Sequence, residues 1–248
     1  MNMINNLSMR GKLLTLVVPA LVVIAWFAMD SIARSYEELG SMRQLRTMVE
    51  LADIGDPLIE TLQKERGRSA VTFASQTGTD GARQATRELE TQRQQTDARL
   101  RDYEAQLETL LASADFDDSV TENIQSVKQA LDNLNSLRQA VDRQSIAAAE
   151  SAKRYTTTIM SLMDRIPLII RRSTDAGLTR EVTAYYTLAE ATERAGRERA
   201  AGASLIRSGD FDLPSIQRIA ALGGQQDAYL NQALGLLSSD SALSTSLN

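Results

Sequence analysis

Apolar positions fall into two regimes along the chain. Residues 13 to 29 form a run of 17 without a charge, close to the ~20 that a helix needs to cross a bilayer. Beyond Asp30 the apolar residues recur at spacings of three and four, the rhythm of helices that bury one face. Leu62, Arg66, Ser69 and Phe73 keep that rhythm, so a guanidinium stands where a core side chain is expected. Val120, Ile124, Val127, Leu131, Leu134 and Val141 form the clearest stripe. It continues through Tyr155, Ile159 and Leu162 toward Pro167, predicting one long helix.

Breaks are few. Prolines stand only at 19, 57, 167 and 214, and no glycine occurs between Gly81 and Gly177. The first helix is expected to run to "DIGDP", where Asp56 caps a second and Pro57 takes its first position. "TGTDG" ends the second helix, and a third covers about residues 82–111. The capping box Ser119-Val120-Thr121-Glu122 opens the fourth. After "STDAG" come a helix over about residues 178–207, the break "SGDFDLP", and a last helix from Pro214 toward Leu237. No segment alternates with period two. The predicted fold is all-α, an elongated helical-bundle domain following one transmembrane helix. Its parts are residues 1–12 as a cytoplasmic N-terminus, 13–29 as the span, 30–237 as an external helical domain and 238–248 as a polar, frayed tail.

Composition narrows the chemistry. The chain has no cysteine and no histidine, which removes disulfides, thiol catalysis, Ser-His-Asp chemistry and the usual zinc sites. Neither paired catalytic carboxylates nor a phosphate loop stands out, so no enzyme activity, cofactor or metal is expected. Net charge is −5, without the basic field that attracts nucleic acid. Arg10 and Lys12 precede the apolar run and Asp30 follows it, which orients the span with its N-terminus inside. A cleaved leader ending near Ser31-Ile32-Ala33 is the rival reading.

The chain also repeats itself. "ERGRSAVTFAS" from Glu65 and "ERAAGASLIRS" from Glu198 align at an offset of 133, which pairs Arg66 with Arg199; "QQTDARL" and "QQDAYL" then align at 130. Two helical hairpins follow one plan. In the second, Leu188, Ala195, Arg199, Gly202 and Ile206 suggest that Arg199 also lies on an apolar stripe. Small residues crowd both arginines, which lets helix backbones approach or leaves room beside the guanidinium. A buried guanidinium needs a partner, since its desolvation costs several kcal/mol. That partner is either a carboxylate reaching from another helix or a planar anion matched to the guanidinium fork.

"LQKERGRSA" with "QRQQTDARL", and "YTTTIMSLMDRIP" with "AYYTLAEATERAGRERAAGASLIRSGDF", resemble the two halves of the nitrate- and nitrite-sensing (NIT) domain over about residues 40 to 237. The resemblance implies a double four-helix-bundle sensor that binds nitrate or nitrite through motif arginines. By position these are Arg66 and Arg199, with Arg68, Arg197 and Arg93 nearby; Arg68 stands where an apolar residue is expected. With the span, the resemblance points to the front of a bacterial methyl-accepting chemoreceptor in the inner membrane, its sensor in the periplasm. The chain ends before a second span and a signalling hairpin, so a chemotaxis kinase and coupling protein would act through a missing C-terminal part. A homodimer is the expected unit. The alternatives are the sensor of a histidine kinase, cyclic-nucleotide enzyme or pilus chemoreceptor, and a membrane-tethered helical spacer without ligand.

Overall fold

The computed structural model describes residues 9–113, 116–173 and 176–237. Among them the chain is all-α, with nine helices: α1 (Met9–Asp53), α2 (Asp56–Ala74), α3 (Asp80–Ser113), α4 (Asp118–Asp132), α5 (Leu134–Asp142), α6 (Ala148–Met163), α7 (Arg165–Arg172), α8 (Ala176–Ser208) and α9 (Leu213–Leu236). The chain divides into two compact units, residues 1–46 and 47–248. In the first, the stretch Val17–Tyr36 has a mean hydropathy of 1.7 and is long and apolar enough to cross a membrane. Its Leu21, Ile24, Trp26 and Phe27 are all exposed. The tail expected at 238–248 lies outside the described residues.

In the second unit α2 packs against α3, α6 and α8, and α8 against α9. The core of the first bundle joins Leu58 and Leu62 of α2, Leu89 of α3, Val127 and Leu137 of α4 and α5, and Tyr155, Ile159 and Leu162 of α6. The long fourth helix predicted from the apolar stripe is in fact α4, α5 and α6. Residues 143–147 reverse the chain between α5 and α6, with Gln144 at φ 49° and the Ser145 amide donating to the Ala140 carbonyl at 3.0 Å. The stripe is continuous because both arms face the same core. Two predicted caps also move. Asp117, not Ser119, caps α4 by accepting from the Val120 amide at 3.0 Å. Asp56 is the first residue of α2, makes no cap, and accepts instead from the Tyr185 hydroxyl.

Both segments that resemble each other in sequence are helical hairpins, α2 turning into α3 and α8 into α9. Gly78 and Gly209, in the two turns, both take the left-handed conformation, with φ 84° and 70°, where a side chain is strained. Arg207 ties the turns together, donating from Nε to Ser75 Oγ at 2.8 Å and from Nη2 to the Gly81 carbonyl.

A polar network holds the first bundle. Glu65 is fully buried and accepts from Arg138 Nε and Nη2 at 2.8 and 2.9 Å and from the Tyr155 hydroxyl at 2.8 Å. Arg138 also donates to Asp97 at 2.6 Å. Arg93 closes the outer side, donating to Asp142 at 3.0 Å and to the Arg138 carbonyl at 3.3 Å. At the other end of α2, buried Arg165 donates to the Ala52 carbonyl at 2.5 Å. Its guanidinium fills the space that a Cβ at Gly55 would need.

Glu65→Ala leaves Arg138 buried with only Asp97 and is expected to lower the unfolding free energy by about 3 to 5 kcal/mol. The paired exchange of Glu65→Leu and Arg138→Met removes both charges and should recover most of that loss in urea titration; an equal loss in the double variant would contradict this account. Burial pushes the phenols of Tyr103, Tyr155 and Tyr185 up, with the Glu65 carboxylate adding at Tyr155 and a hydrogen bond to Asp56 adding at Tyr185. Tyr186 is pushed up to about 12, by burial and then Glu190. A raised folded pKa makes the stabilisation complete below the unfolded value of ~10 and removes it as pH rises through the folded one. In a spectrophotometric titration, phenolate should therefore lag behind free tyrosine, and the tyrosines' share of urea stability should be lost only above about pH 10.

Candidate functional site

The apolar rhythm of α2 buries Leu62, Arg66 and Ser69 together, with Arg66 2% exposed. Its guanidinium is gripped by Glu193 of α8, Nη1 to Oε1 at 2.5 Å and Nη2 to Oε2 at 3.1 Å, and Nη1 also donates to Thr156 Oγ1 at 2.8 Å. Gln63 donates its amide to Glu193 Oε2 at 3.0 Å. The Arg66 Nε is buried and has no partner among the described residues. Small residues allow this approach. A Cβ at Gly196 would lie 3.3 Å from Arg66 Nη2, and one at Gly67 would lie 3.9 Å from the Ala200 methyl.

Beside Arg66 lies an open cavity of about 740 Å³ between α2, α6, α8 and α9. Its cationic lining is Arg66, Lys153, Arg197 and Arg218, against a single carboxylate, Asp164, and its walls are small residues such as Ala70, Ala152, Ala201 and Ser204. Among the described residues neither Arg197 nor Arg218 forms an ion pair. Burial holds the Arg197 guanidinium below its ordinary pKa; Arg194, Arg66 and Arg218 push it further down, with only Glu193 opposing. Crowded cations of this kind are relieved by an anion, which the five donors of each guanidinium can orient.

The predicted arginines do not form one cluster. Arg66 and Arg197 share the large cavity. Arg199 and Arg68 line a separate one of about 360 Å³. Arg93 belongs to the Glu65 network, its Nε 3.9 Å from Glu65 Oε1. Arg199 is exposed and not on a core stripe, contrary to the expectation from the repeat. The buried face of α8 is instead Ala184, Thr187, Glu190, Ala191, Glu193 and Gly196, and Ile206 of the predicted stripe is 75% exposed. The environments differ because α2 is enclosed by α3, α6 and α8, whereas α8 packs chiefly on α2 and α9. Arg68 is exposed and pairs with Glu88 at 2.5 Å.

Sequence reasoning missed Glu193, Lys153 and Arg218. Glu193 lies 127 positions from Arg66, and no local signal joins them. The available sign was its own register, three residues before Gly196 on a face of small side chains.

A family model described as nitrate and nitrite sensing matches residues 57–245. The chain is 28% identical over 208 residues to the nitrate regulatory protein of Klebsiella oxytoca, an alignment covering 84% of this chain and 50% of that one. The structure of the NasR transcription antiterminator matches with a TM-score of 0.72 at 26% identity, over 91% of this chain and 57% of that chain. The chain thus spans half the length of its curated relative. An all-α architecture and a family match over most of its length place the chain in the nitrate- and nitrite-sensing (NIT) family.

Proposed function

We propose that the chain is the ligand-binding region of a membrane-anchored bacterial receptor, and that nitrate or nitrite is held in the cavity of Arg66 and Arg197. The observation that carries this reading is a buried guanidinium, its Nε without a partner among the described residues, that shares a cavity with a second one whose charge is disfavoured by burial and then by its cationic neighbours. A small planar monoanion satisfies both without the desolvation cost of a dianion. Recognition proceeds without chemistry on the ligand. Binding favours whichever packing of α2 against α8 brings the cations together, and the energy for the shift is the difference in affinity between the two packings. The apolar helix Val17–Tyr36 supports anchoring, with the sensor outside the cell and a chemoreceptor, working as a homodimer, as the favoured whole. The two relatives carry the names of regulators, one of them an antiterminator, which favours coupling of the same sensor to a different output as the second reading.

Calorimetry on the whole chain in detergent should give heat with nitrate or nitrite and none with sulfate. Arg197→Gln is expected to weaken binding by about 10- to 100-fold, the worth of one or two charge-assisted hydrogen bonds, with no loss of thermal stability in the free protein. Silence with both anions would leave the ligand-free spacer as the account, with Glu193 as the permanent partner of Arg66. Carbonate-washed membranes should retain the chain; its release into the supernatant would remove the anchor.

A further inference from the structure

The two cavities are counterparts under the internal repeat. An offset of 133 carries Arg199, Ala203 and Lys64 of the smaller cavity onto Arg66, Ala70 and Arg197 of the larger, and 130 carries Gln92 onto Leu222. The same offset pairs Gly67 with Ala200, the residues at which α2 and α8 meet, and both cavities are lined by Ala200. The smaller cavity presents Lys64, Arg68 and Arg199 and contains no carboxylate in its lining. Two buried amides, Gln63 and Gln92, each 7% exposed, also face it.

We propose that the smaller cavity is a second site for a small monovalent oxyanion, coupled to the first across the α2–α8 contact; this rests on the first cavity being the nitrate site. Lys64 and Arg68 are already paired with Glu60 and Glu88 at 2.6 and 2.5 Å, which makes this the weaker site, with Arg199, which forms no ion pair among the described residues, as its principal donor. The coupling runs through side chains already in contact. Gln63 lines the second cavity and donates to Glu193, Glu193 holds Arg66, and Arg66 lines the first. An anion on one side thus changes the hydrogen bonding of the group that receives the anion on the other, which makes the effect reciprocal.

Sodium nitrate titrated calorimetrically into the whole chain tests this. Two equivalents are expected, the weaker lost in Arg199→Gln and in Ala203→Leu, which fills the second cavity without touching a charge, and the tighter lost in Arg197→Gln. Gln63→Met should change both affinities; a change confined to one overturns the relay. A single equivalent that disappears in Arg197→Gln but ignores Arg199→Gln and Ala203→Leu overturns the second site and leaves the first standing. A single equivalent lost only in Arg199→Gln overturns both the two-site count and the assignment of nitrate to the larger cavity. No heat in any form overturns both proposals.

Discussion

Two adjacent charges on α2 cannot share a partner, because consecutive helical residues point about 100° apart. Glu65 is bound to Arg138 and Tyr155 in the first bundle, and Arg66 to Glu193 on α8. All of these groups are nearly or wholly buried. An isolated charge in such surroundings costs several kcal/mol, so rotation or sliding of α2 penalises both pairs together. The helix is thereby fixed in register against its neighbours, and the small residues at Gly67 and Gly196 set how closely α8 can lie.

That constraint leaves one guanidinium structural and yet incompletely satisfied. Glu193 uses the two terminal nitrogens of Arg66 and leaves Nε. The carboxylate resembles a planar anion in shape and charge, and it takes the end of the fork that such an anion would otherwise occupy. Arg197 supplies the unmet charge. Burial, and then its neighbours Arg194, Arg66 and Arg218, disfavour its charged form, with Glu193 opposing.

Much of this was legible in the residues. Periodicity located α2, α3, α8 and α9, and Pro57 and Pro214 marked the starts of two of them. The reversal at residues 143–147 was not legible, because Gln144 takes a left-handed conformation that glycine or asparagine usually announces. The apolar stripe ran straight across it, both arms facing one core. At the site, an arginine among apolar and small residues singled out Arg66 correctly as buried. The repeat misled over Arg199, since equal sequence positions on α2 and α8 meet unequal numbers of neighbouring helices. Glu193 depended on tertiary placement, which no window of sequence contains.

The tether made by Arg207 has a mechanical consequence. With Ser75 and Gly81 held by one side chain, the tips of the two hairpins are joined like the pivot of a pair of tongs. Displacement of α2 against α8 is then smallest at that end, and at the far end of α2 the bond from Tyr185 to Asp56 joins the same two helices, so any bowing falls on the stretch between.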